Sequence, residues 1–113
     1  MDHSLPKSMR LLKSAEYDAV FKEGRKLAGT YLLAFIAPSD TQSKLGTIVS
    51  KRWGNAVRRN RMKRLMRESF RHSHHLFEQP VRIVLIPRRY PADLSEHQTR
   101  KDLQNLVARY ERR

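Results

Sequence analysis

The 113-residue sequence contains no cysteine, which removes disulfide frameworks, thiol catalysis and cysteine-bound zinc together and suits a reducing compartment. It has no apolar run near the roughly 20 residues of a membrane span, so no membrane association is expected. The opening MDHSLPKSMR lacks the roughly 7 to 15 residue apolar stretch of a secretory signal, and a cytoplasmic location is expected. Acidic residues are scarce: 11 Asp plus Glu stand against 24 Lys plus Arg, giving a formal net charge of +13 and a pI of about 10.9. The few carboxylates are dispersed, and Glu16 and Asp18 point to different faces of one short helix. No pair is placed to hold two metal ions, and no histidine pair is placed for acid-base work. Glycine is also rare, at four residues, and Gly54 lacks the companions of a nucleotide-hydrolase phosphate loop. The chain alone is therefore expected to be catalytically inactive.

What is present is a localised positive charge. Nine basic residues fall between Lys51 and Arg71, against the single acid Glu68, for a local charge of +8. A segment of that density repels itself inside a folded chain unless a polyanion neutralises it, so nucleic acid is the leading partner and an anionic membrane a distant second. A charged face kept only for solubility would mix the two signs. The length suits one domain, and 39% hydrophobic residues suffice for a small core.

Residues 1–8 show no periodicity and are expected to form a mobile tail ahead of a single domain over 9–113. From Ser14, a plausible N-cap, the spacing of Tyr17, Val20 and Phe21 predicts a short helix closed by Gly24 in a left-handed cap. Lys26 to Pro38 is rich in strand formers, most clearly Tyr31 to Ala37. Leu45 to Ser50 reads as the next strand, and the short polar segment Asp40–Lys44 predicts an antiparallel hairpin between the two. Asn55 caps a long helix to about His74, with Met62, Leu65, Met66, Ser69 and Phe70 on its packing face and Asn60, Arg64, Arg67 and Arg71 opposite. Val81 to Ile86 is the nearly continuous apolar run of a strand covered on both faces, and strand, helix, strand implies a parallel crossover. A second basic knot, Arg88–Arg89, lies between Pro87 and Pro91. Ser95 and Gln98 then offer a capping box to a last helix striped by Leu103, Leu106, Val107 and Tyr110. The expected fold is α+β, in the order α-β-β-β-α-β-α, with a mixed sheet of about four strands and the basic helix in the crossover.

The most specific feature runs from Lys51 and Arg52 through Trp53-Gly54-Asn55-Ala56-Val57 to Arg58, Arg59, Asn60, Arg61, Lys63, Arg64 and Arg67, with Arg71 one turn on. A glycine turn hands the chain to a helix whose N-terminal amides favour phosphate, and guanidinium forks on successive turns add donors for phosphate oxygens. Three histidines, His72, His74 and His75, cannot all face one ion from a regular helix, and a solvated helix end explains them better than a metal site. Trp53 suits either a stack on RNA or closure of a small core.

These residues resemble the bacterial ribonuclease P protein family, whose signature Arg-Asn-Arg occurs here as Arg59-Asn60-Arg61. Gly54-Asn55-Ala56-Val57, Lys63-Arg64 and Arg67 match at the same spacing, and the likeness extends from about Met9 to Tyr110. The resemblance implies an accessory subunit that binds a large catalytic RNA and helps remove the 5′ leader of precursor tRNA, with no obligate protein partner. It implies that the chemistry belongs to the RNA and its Mg2+ ions, and that the crossover has the uncommon left hand, against the general rule. It also implies that the leader runs along a cleft between the first helix and the sheet, lined by Tyr17, Phe21 and Phe35. Many relatives carry phenylalanine at the position of Tyr17. An unstacked base gains roughly 1 to 3 kcal/mol on such a ring, while an i, i+4 aromatic pair on a short helix serves equally as core. A structural ribosomal RNA-binding protein or assembly factor fits the composition as well. A DNA-binding module fits less, since no helix-turn-helix or finger pattern occurs.

Overall fold

The computed structural model describes residues 5–112. Its elements are α1 (Ser14–Glu23), β1 (Arg25–Ala28), β2 (Leu32–Pro38), β3 (Lys44–Thr47), α2 (Ala56–Ser73), β4 (Val81–Pro87) and α3 (Glu96–Glu111). This is the expected α+β order. Single 3₁₀ turns at Lys7–Met9, Lys51–Trp53 and His74–Leu76 join them.

The strands form one sheet in the order β1-β2-β4-β3. β4 pairs antiparallel with β2 and parallel with β3, so α2 does sit in a parallel crossover. The hairpin expected between β2 and β3 does not form. The hairpin is instead β1 with β2, folded about Gly29 to Tyr31 within the segment that read as one strand-rich run. The physical reason lies in β4, the strand with the most continuous apolar sequence. Placed centrally, it has both edges paired and both faces covered, and four-residue β3 takes the outside position. The backbone of Arg10 and Leu11 then runs beside β3 and caps that edge, Leu11 N–H donating to the Leu45 carbonyl at 2.9 Å.

Two further local expectations are corrected. The N-cap of α1 is Lys13 rather than Ser14, and the Glu16 carboxylate accepts from the Leu12 and Lys13 amides at 2.9 Å each, satisfying donors ahead of the first turn. Gly24 is extended, with φ −87° and ψ 160°, not left-handed. Its value is space, since a Cβ there would stand 2.6 Å from the Val20 carbonyl oxygen. Leu5, within the stretch expected as a tail, is packed: it is 1% exposed and joins the main core, while residues 1–4 lie outside the described residues.

The two faces of the sheet differ sharply. On one, α2 and α3 cover Leu32, Ala34 and Ile36 of β2, Ile83 and Leu85 of β4 and Leu45 of β3, completing the core with Met62, Met66, Phe70, Leu103 and Leu106. On the other, α1 covers the sheet with a small buried cluster of Leu11, Val20 and Val84, and Ala37 of β2 is buried on that face as well. Ion pairs supplement this thin packing. Glu23 meets Arg82 of β4 at 2.6 Å, and Glu16 lies 3.9 Å from Lys44 of β3, so both ends of α1 are tethered to the sheet.

Candidate nucleic-acid interface

The basic helix is positioned by its entry turn. Gly54 has φ 122°, a left-handed backbone that an L side chain rarely adopts. Asn55 follows as N-cap, its side-chain oxygen accepting from the Arg58 amide at 2.9 Å. The apolar stripe of α2, Met62, Leu65, Met66, Ser69 and Phe70, is buried as its spacing predicts, and this leaves the cationic stripe outward. Asn60 and Arg64 are exposed, and Arg67 and Arg71 half-buried beside them.

The ten polar residues selected from sequence divide by what their side chains touch. Arg58 and Arg61 reach across to the loop before α3: Arg58 donates to the Tyr90 carbonyl at 3.5 Å, and Arg61 to the carbonyls of Ala92 and Leu94 at 3.3 and 2.9 Å. They fix the helix to that loop as well as adding charge. Arg59 donates to the Gly54 carbonyl at 3.1 Å and braces the entry turn. Arg71 pairs with Glu68 at 2.9 Å, and that hydrogen bond raises its pKa, so its charge is partly answered within the protein. Among the described residues, the side chains of Lys51, Asn60, Lys63, Arg64 and Arg67 enter no such bond, and Arg52 lies over the Trp53 ring at 5.0 Å. Trp53 itself is half-buried against the main core.

Arg67 is the most strained of these charges. Burial first, then the neighbouring guanidiniums of Arg10 and Arg64, push its pKa below the ordinary arginine value. Glu68 acts on Arg67 in the opposite sense, and a bound anion would favour its charged form further. Arg10 was not legible as part of this group. It precedes α1 in sequence and joins the patch only because its backbone runs beside β3.

Tyr17 and Phe21 of α1 and Phe35 of β2 come together on the α1 side of the sheet. The Phe21 and Phe35 rings meet edge to face at 4.9 Å between centroids. Phe21 remains 36% exposed, while Tyr17, Phe35 and Ile86 are half-buried around the small cluster of Leu11, Val20 and Val84. The three rings are therefore neither sealed core nor free surface. Gly46 of β3 lies directly under Tyr17: a Cβ there would fall 2.5 Å from the Tyr17 ring and 2.9 Å from its hydroxyl. An isolated glycine inside a strand signals such a close approach, so Gly46 could have been found from sequence. Burial pushes the Tyr17 hydroxyl above its usual pKa, partly offset by the Thr47 backbone, so it is neutral and able to donate near pH 7. At the other end of α2, His74 leans on the Phe70 ring and His72 approaches Glu68 at 3.8 Å. The described residues contain no group of three or more His, Cys, Asp or Glu side chains able to hold a metal ion. None of their helices is long and apolar enough to cross a membrane.

The ribonuclease P family model matches residues 5–111. The ribonuclease P protein component of an Exiguobacterium species is 39% identical over 109 residues, covering 93% of this chain and 92% of that protein. That of Bacillus pumilus is 36% identical over 104 residues, covering 90% and 87%. The solved ribonuclease P protein of Thermotoga maritima superposes with a TM-score of 0.78 at 31% identity, covering 88% of this chain and 96% of that one. With the sequence and the fold in agreement over nearly its whole length, the chain belongs to the ribonuclease P protein family.

Proposed function

We propose that this subunit of ribonuclease P grips the catalytic RNA with the outer face of α2 and receives the 5′ leader of precursor tRNA in the groove under α1. The observation that carries this reading is the placement of two chemically different surfaces on either side of β3. On one side Arg10, Arg64 and Arg67 crowd together; on the other Tyr17, Phe21 and Phe35 come together part-exposed, with Gly46 directly under Tyr17. Guanidinium forks suit phosphate oxygens whatever the sequence. Exposed rings suit unstacked bases, also with little sequence preference, which fits leaders of varied sequence.

The donor set contains arginine, asparagine and aromatic rings, with no converging carboxylates, and does not fit a protein-held divalent ion. In this reading the Mg2+ ions that serve cleavage are held mainly by RNA oxygens, and the protein contributes binding, orientation and charge neutralisation. If about 6 to 10 phosphates are neutralised, affinity for RNA should fall roughly a thousandfold to a hundred-thousandfold between 50 and 200 mM salt.

The test is cleavage of a leader-bearing precursor tRNA by the cognate catalytic RNA at low magnesium, with and without this protein. Stimulated cleavage at the mature 5′ end, with none from protein alone, is expected. A folded protein that binds RNA tightly yet gives no stimulation would contradict the proposal and favour a role in ribosome structure or assembly.

A further inference from the structure

Arg88–Arg89, the second basic knot of the sequence, follows β4, with Arg88 two residues beyond Ile86 of the aromatic cluster. It opens into a cavity of about 610 Å³ between the β1–β2 turn and the C-terminal half of α3, where Arg109 and Arg112 also line the wall. Four arginines from two separate segments thus share one concave site. The single acid there, Asp102, does not balance them, because its carboxylate is already engaged. It accepts from the backbone amides of Thr30, Tyr31 and Leu32 at 2.9, 3.0 and 3.0 Å, and it is only 5% exposed. Those bonds pull the turn so tightly against α3 that a Cβ on Gly29 would stand 2.6 Å from a carboxylate oxygen.

Two of the arginines have a structural duty. Arg109 donates to the Ala28 carbonyl at 2.8 Å and Arg88 to that of Gly29 at 3.1 Å, which fixes their orientation and leaves most of their N–H donors unspent. Arg89 and Arg112 make no side-chain hydrogen bond among the described residues. Their guanidinium donors are therefore available to a bound polyanion. The same loop that carries Arg88 and Arg89 continues to Tyr90, Ala92 and Leu94, whose carbonyls Arg58 and Arg61 hold. The cavity is therefore physically linked to the first turns of α2. It lies beside β1, the sheet edge opposite β3, roughly 14 Å across the sheet by ordinary strand spacing.

We infer that this arginine-lined cavity between the β1–β2 turn and α3 binds the phosphodiester backbone of an RNA strand, as a second binding surface besides the outer face of α2. This deepens the functional reading above and rests on it. The protein then bridges two RNA segments, one at each edge of its sheet.

The experiment measures the affinity of the full-length protein for the cognate catalytic RNA across a salt series, and of the resulting holoenzyme for precursor tRNA. It compares wild type, Arg89→Ala/Arg112→Ala and Arg89→Lys/Arg112→Lys. The alanine pair spares the two arginines that brace the turn, and a thermal melt checks that the fold is kept. The expected result is severalfold weaker binding and a log-affinity against log-salt slope smaller by about 0.7 to 0.9 for each phosphate that the variant leaves unneutralised, with the lysine pair largely restoring both. Weakening toward the catalytic RNA assigns the strand to that RNA, and weakening confined to the precursor assigns it to the substrate. Unchanged affinity and slope toward both RNAs, with wild type binding normally, would overturn the inference alone. A wild-type protein that binds neither RNA would overturn the functional reading and this site with it.

Discussion

The two faces of the sheet are built to different standards. Under α2 and α3 the sheet carries most of the buried side chains, whereas under α1 the buried cluster is small and Tyr17, Phe35 and Ile86 around it are only half-buried. A thinly packed helix held at its two ends by ion pairs is what a groove for a flexible strand requires, since full packing would fill it. The densely packed face does the opposite work: it makes α2 rigid, so that its outer arginines stand at fixed spacing. Stability and recognition are thus assigned to opposite sides of the same four strands.

The sharpest way to break this comparison is to remove one phenylalanine from each side. Phe70→Ala, on the fully buried side, should lower unfolding free energy by about 3 to 5 kcal/mol in urea denaturation. Phe21→Ala, on the open side, should cost about 1 kcal/mol in the same assay, mostly from the missing aromatic pair, while weakening binding of leader-bearing substrate by roughly 1 to 3 kcal/mol. Equal stability losses would mean that the groove is ordinary core.

Smaller in effect, Asp102→Ala should cost about 3 kcal/mol, because three backbone amides of the β1–β2 turn lose a charged acceptor in a buried place.

Arg64→Ala with Arg67→Ala sharpens the contrast from the other direction. It should leave folding close to wild type, since Arg64 is exposed and Arg67 only half-buried on the outer face of α2. RNA affinity should fall for every leader length, with a salt slope smaller by about 1.5.

The smallest effect concerns pH. Tyr90, hydrogen-bonded to Thr99 at 2.7 Å in the main core, is pushed up from 10.0 to about 12 by burial. A raised folded-state pKa means that its contribution is fully present below pH 10 and is lost as pH rises from about 10 to about 12. Tyr90→Phe should flatten the alkaline fall in melting temperature within that window.

Much of this division could be read from the residues. The packing stripe of α2, its Asn55 cap, the Ser95–Gln98 capping box and the doubly covered β4 run all follow from local periodicity and hydrogen-bonding chemistry, which sequence carries directly. Strand order did not follow. Neighbouring strands with a short polar link suggest a hairpin, but the pairing is decided by which strand gains most from a central position, a comparison across the whole chain. For the same reason Arg10, Arg109 and Arg112 were not legible as members of basic sites. Each is brought to its partners by tertiary placement, and an isolated arginine carries no local mark of that. Gly46 is the intermediate case: a glycine inside a strand announces close approach without naming Tyr17 as the side chain that approaches.

The most direct test is the ratio of holoenzyme affinities for a precursor tRNA and for the same tRNA without its leader, measured with wild type and with Tyr17→Ala/Phe21→Ala. The account predicts that this ratio collapses toward one in the variant, while affinity for the leaderless tRNA and for the catalytic RNA stays near wild type. An unchanged ratio, or an equal loss on both tRNAs with the protein still folded, would contradict a leader groove under α1.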